Sequence, residues 1–220
     1  SLLDRNSMPD DTRSFLDYMA GFVELISGDA AGGLEQARSA LVLPADLQDP
    51  QMHAIYGTQQ AELSFFTGDY ARAFAEAMAV EHAYGYPDQL EIGLLAAIWL
   101  GDPDRVAEVG AKLTAIEARG RMVTLLASFI DLAAAAMAGR DDEAARLARQ
   151  VLDLGAQVRD EQRRAITAVT VARLFGLDHP IGAEAAAVAH RIFTEHGSVN
   201  LLRVFAAGLP EDAAVAASAG

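Results

Sequence analysis

From Tyr70 onward, Tyr70, Ala73, Phe74, Ala77 and Met78 fall at i, i+3, i+4, i+7 and i+8, with polar or small residues between them. That spacing predicts one apolar stripe along an amphipathic helix. The stripe follows closely on Phe65-Phe66-Thr67-Gly68-Asp69, where an earlier apolar segment ends. Gly68 stands where a helix closes on a left-handed residue, a conformation that costs glycine little. Asp69 is placed to offer its carboxylate to the free N–H groups of the next helix. The stretch therefore predicts a tight turn between two helices of a hairpin.

The same punctuation recurs at Gly28-Asp29, Gly101-Asp102-Pro103, Gly139-Arg140-Asp141 and Gly176-Leu177-Asp178, with glycine spacings of 40, 33, 38 and 37 residues. Pro103 and Pro180 fall at the start of their second helices, where a missing N–H does no harm. Counted from each glycine, the residue two places earlier is Ile26, Phe66, Trp99, Met137 or Leu174, large and apolar throughout. Five places earlier stand Val23, Leu63, Ala96, Ala134 and Val171. Nine places later stand Ala37, Ala77, Gly110, Ala148 and Ala185, and twelve later Ala40, Val80, Leu113, Val151 and Val188. Large residues fill the space between layers, and small ones let partner helices approach. A single hairpin cannot cover its own apolar face, so the period predicts stacking of each pair on the next. The expected fold is all-α: a solenoid of five antiparallel hairpins turning at the five glycines, with Ile26, Phe66, Trp99, Met137 and Leu174 buried.

The pattern resembles the tetratricopeptide family. Gly68-Asp69-Tyr70-Ala71-Arg72-Ala73 is similar to the family's opening of its second helix, and Gly139-Arg140-Asp141-Asp142-Glu143-Ala144 is similar to a common variant. The aromatic residue usual nine places after the turn is replaced here by alanine or glycine. The resemblance extends loosely to the repeat regions of bacterial cyclase and LuxR-type multidomain regulators. It implies peptide binding on a concave face lined by the first helices, and carries Tyr18, Phe22, Thr58, Glu62 and Glu91 to that lining. Organisation is read as a flexible segment over 1–10, one repeat domain over 11–208, and a flexible tail over 209–220. Within the domain, a short helix from Val199 to Ala207 is expected to cap the last pair through Leu202 and Phe205.

Composition narrows the function classes. The 220 residues suit one domain, and 52% hydrophobic content with 7 prolines suits helices. There is no cysteine, which excludes disulfides, thiolate metal sites and cysteine nucleophiles. The longest apolar stretch, Leu125 to Ala138, is interrupted by Ser128 and Asp131 and is too short to span a bilayer. The opening SLLDRNSMPDD lacks the order of a secretion signal, and the chain starts on serine, so a cytoplasmic segment of a longer protein is expected. A net charge of −14 argues against nucleic acid and anionic membranes as partners. Residues 1–100 hold 15 acidic against 4 basic groups, which directs the expectation to a basic partner on the first repeats.

Candidate chemistry is sparse. His53, His82, His179, His190 and His196 show no ligand spacing, so no metal is assigned. Gly28 to Gly33 (GDAAGG) lacks the lysine and the preceding strand of a phosphate loop and reads as a turn with a loose helix start. Arg159, Arg163 and Arg164 alternate with Asp160 and Glu161 and read as a solvated helix face. No catalytic residue and no cofactor is predicted. The expected function is a non-enzymatic module that binds a protein or peptide, with a small-ligand sensor as the alternative.

Overall fold

The computed structural model describes residues 10–42, 49–80, 87–116, 120–157 and 160–209. The N-terminal segment, the tail beyond Leu209 and His82 lie outside these residues. Among the described residues there are helices and no strands. They pack as adjacent pairs: α1 (Asp10–Ser27) with α2 (Ala30–Ala40), α3 (Pro50–Phe66) with α4 (Tyr70–Ala79), and α5 (Asp88–Leu100) with α6 (Pro103–Thr114). The series continues with α7 (Arg121–Met137) and α8 (Asp141–Ala156), then α9 (Glu161–Phe175) and α10 (Pro180–Glu195). A short α11 (Val199–Val204) and a single 3-10 turn (Ala206–Gly208) follow.

The local chemistry sets the helix limits. Asp69 Oδ1 accepts the Arg72 N–H at 3.2 Å, and Gly68 adopts φ 80°. Asp29, Asp49, Asp102 and Asp160 cap α2, α3, α6 and α9 in the same way, so one residue type starts five helices. Pro50, Pro103 and Pro180 each open a helix. Gly101, Gly139 and Gly176 share the positive φ of Gly68. Gly28 does not: its N–H still donates to Glu24 O at 2.9 Å, so the first turn closes without a left-handed residue.

The pattern of close approach explains the first pair. A Cβ at Gly21 would lie 2.5 Å from Ala37 N, and one at Gly33 would lie 2.4 Å from Leu25 N. The two glycines let α1 and α2 meet backbone to backbone. Gly33 is therefore a packing residue.

Ile26, Phe66 and Trp99 are buried, whereas Met137 and Leu174 are half-buried against the core. The difference traces to α11, which is not the end cap expected of it. Phe205 is fully buried and its ring lies 5.6 Å from Phe65, 6.3 Å from Phe66, 5.1 Å from Trp99 and 6.0 Å from Phe193. Asn200 Nδ2 donates to Leu25 O at 2.9 Å and Gly28 O at 3.1 Å, and the Tyr70 hydroxyl donates to Val204 O at 3.3 Å. The C-terminal helix thus packs on the first three pairs as well as the last, and the chain closes on itself. The reason is compositional: Leu201, Leu202, Phe205 and Leu209 surround a segment too short to hide them on one side.

Candidate functional site

The inner faces of α1, α3, α5 and α9 meet around a cleft of about 130 Å³. Phe22, Phe65 and Phe66 form its apolar wall, and Glu62, Glu91, Asp160 and Arg163 supply its charge. Each polar group arrives on a different helix or at a helix start. Glu62 lies one turn before the end of α3, Glu91 in the first turn of α5, and Asp160 at the cap of α9.

The bonding is continuous. The Tyr18 hydroxyl donates to Glu62 Oε2 at 2.6 Å, joining α1 to α3. Arg163 Nη2 lies 3.0 Å from Glu91 Oε2 and 3.6 Å from Asp88 Oδ1, joining α9 to α5. The Arg163 backbone N–H donates to Asp160 Oδ1 at 3.0 Å, and its Nη1 lies 3.8 Å from Met122 Sδ on α7. Arg163 is the one basic side chain among the described residues lining the cleft. Four carboxylates, those of Glu62, Asp88, Glu91 and Asp160, act on it or on each other.

Burial governs the ionisation. The Glu91 side chain is 15% exposed, and its carboxyl is pushed up to about 7. Loss of solvation is the main cause, with Arg163 pulling the other way and Asp88, Glu62 and Asp160 adding to the rise. Glu62 is raised for the same first reason, opposed by the Tyr18 hydrogen bond and by Arg163. Burial, and then the neighbouring Glu62 charge, push the Tyr18 hydroxyl upward, so it stays a donor at any physiological pH. The cleft has an acidic lining whose charge at neutral pH depends on Glu91.

Of the five residues assigned to a groove, the structure brings four to this place. Glu62, Glu91 and Phe22 line the cleft, and Tyr18 holds Glu62 from behind. Tyr18 and Phe22 are buried, so their main contribution is packing: their rings stack at 5.9 Å, and Phe22 meets Phe66 edge-on at 5.2 Å. Thr58 is not part of the cleft lining, and its hydroxyl donates to Ala54 O within α3. Glu62 and Glu91 are half-buried and partnered rather than solvated, a correction to a simple surface role. Arg163 is the residue that the sequence reading misplaced on a solvated face. The signal for it was its position 13 residues before Gly176, the same offset that Asp88 has from Gly101. Arg159 lies outside the described residues.

Among the described residues no group of three or more His, Cys, Asp or Glu side chains is placed to hold a metal ion. His179 instead caps α10, its Nδ1 accepting the Ile181 N–H at 3.2 Å. Among the described residues no helix is long and apolar enough to cross a membrane. Comparison with protein-family models, curated proteins and solved structures finds no match for the chain.

Proposed function

We propose that the chain is a non-catalytic recognition module, a five-pair helical repeat that takes a basic side chain of a protein or peptide into the acidic cleft. The carrying observation is the charge ratio there: four carboxylates gathered around the single guanidinium of Arg163. An incoming Arg or Lys would share Glu62 and Glu91 with Arg163, and a half-buried site strengthens such pairing over what bulk water allows. The uneven charge of the chain, 15 acidic against 4 basic groups in the first hundred residues, would steer a basic partner to the same end.

Size favours this reading over the metabolite sensor. A site that encloses a small molecule usually measures about 300 Å³ or more and has convergent polar groups. The cleft with convergent polar groups measures about 130 Å³, room for one side chain. A second cleft, between α1 and α3, reaches about 310 Å³ but is lined mainly by Phe15, Leu41, Met52, Ile55 and Tyr56. The polar groups and the volume are in different places.

Selection of a displayed random-peptide library on the intact chain tests the proposal. The expected winners are rich in Arg or Lys, and their binding is lost when Glu62→Gln and Glu91→Gln are combined. Winners without a basic residue, or binding that ignores the double substitution, would refute it.

A further inference from the structure

The five first helices are not equally covered. In the later pairs, the second helix of one pair packs against the first helix of the next: α2 on α3, α4 on α5, α6 on α7 and α8 on α9. The contacts keep a common register. A Cβ at Gly110 on α6 would lie 3.3 Å from Ile130 Cγ2 on α7, and one at Gly155 on α8 would lie 3.4 Å from Thr167 Cγ2 on α9. Ile130 and Thr167 each stand nine residues before their turn glycine. In α5 the neighbouring position, Gly93, would meet Met78 Sδ at 3.3 Å and Ala77 Cβ at 3.6 Å on α4. Positions nine before the turn are accordingly buried or half-buried in α3, α5, α7 and α9, and Leu63, Ala96 and Val171, five before the turn, are buried.

In α1 the same two positions are Met19 and Val23, and they are 40% and 51% exposed. Phe15, one turn earlier on the same face, is 52% exposed. The three make an apolar stripe of about 12 Å at 1.5 Å per residue. It lies on the side of α1 away from Gly21, which faces α2. Among the described residues no helix precedes α1 to cover it. Near its C-terminal end the stripe borders an unfilled cavity of about 180 Å³, walled by Val23, Ile26, Ile192, Phe193 and His196.

We infer that this face of α1 docks a partner helix, amphipathic, with a small residue at the centre of its apolar stripe and with neutral or basic flanks. The helical form and the small residue follow from the register, since Ala77, Gly110 and Gly155 are what the later first helices receive. The nine residues before Asp10 do not supply it: a turn of about three leaves about 9 Å of helix, short of the stripe. The flanks follow from charge. A second copy carries the same −14, with its acidic excess in the half that holds α1, and is repelled.

The chain has no cysteine, so Met19→Cys gives a single reporter on the full-length protein. A second copy of residues 120–157 fused ahead of Ser1 brings the α8 sequence next to α1 at high effective concentration. The expected result is alkylation of Cys at position 19 slowed about tenfold or more relative to the unfused chain, with Val23→Glu restoring the fast rate. A Glu24→Cys reporter, on the far side of α1, should react equally in both proteins. Equal rates at position 19 with and without the fusion would overturn the inference. Protection in the unfused chain that grows with its own concentration would overturn the choice of occupant and identify a second copy.

Discussion

At the scale of single residues, the cleft and the first turn give opposite lessons about what a local pattern conveys. The carboxyl of Glu91 lies near 7 in the folded chain and near 4.5 when unfolded, so the folded state holds the extra proton between those values. Stability contributed by protonated Glu91 is therefore full below about 4.5 and lost as pH rises toward 7, by at most about 3 kcal/mol. Glu91→Gln should flatten this dependence, and denaturant melts of both proteins at pH 5 and pH 8 would show the variant gaining chiefly at pH 8. Equal gains at both pH values would mean that solvation, not the buried proton, sets the behaviour of Glu91. At Gly33 propensity and packing disagree in sign. Helix propensity alone would have Gly33→Ala stabilise by about 1 kcal/mol. The methyl would instead meet Leu25 N at 2.4 Å and Gly21 O at 2.6 Å, backbone atoms that yield little. Overpacking of this kind costs about 1–3 kcal/mol or more, so the variant should melt lower than the parent. No sequence pattern separates Gly33 from Gly32, because the difference lies in a helix that Gly33 touches and Gly32 does not. Arg163 was obscure for a like reason: its partner Glu91 is 72 positions away in the chain.

At the scale of helices the chain is legible, since the signals are local. Aspartate before an apolar stripe and glycine after it mark starts and stops at Asp69 and Gly68, Asp102 and Gly101, and the structure keeps both. The exceptions are informative. Arg140 precedes α8 without a side-chain cap, and Asp141, Asp142 and Glu143 in the first turn complement the helix dipole there. Asp102 Oδ1 accepts from both Asp104 N–H and Arg105 N–H at 3.1 Å, and its Oδ2 pairs with Arg105 Nε at 3.2 Å. Asp102→Ala should accordingly cost about 1 kcal/mol. Arg140→Ala, with no cap bond to lose and only an exposed pair with Glu143, should cost much less. Chemical denaturation of the two variants side by side checks the ranking, and a reversed order would show that tertiary packing, not capping, limits these helix ends.

At the scale of the whole molecule, the sequence supports pairs but not their closure. Local period gives each helix a neighbour before and after it, and on that logic α11 belongs to α10 alone. Burial decides otherwise. A helix of 6 residues carrying Leu201 and Leu202, followed by Phe205, cannot satisfy all three against one neighbour, and the aromatic residues Phe65, Phe66 and Trp99 present a matching apolar surface. The hydrogen bonds from Asn200 to the carbonyls of Leu25 and Gly28 then fix the first pair to the last. Phe205→Ala should cost about 3–5 kcal/mol, as expected for a fully buried aromatic. Its spatial reach is the sharper test. If α11 only capped the last pair, faster amide exchange would be confined to α9 and α10. A helix that joins both ends of the chain predicts faster exchange in α1 and α3 as well, because losing Phe205 opens the cavity against Phe65 and Phe66 and loosens the contact of Asn200 with α1. Hydrogen exchange of the variant under native conditions distinguishes the two. Acceleration that stops at α9 would mean that the first pairs hold together without the C-terminal helix. Acceleration that appears in α1 and α3, more than 100 residues from the substitution, would show that the acidic cleft lies in a closed body whose walls are set by both ends of the chain.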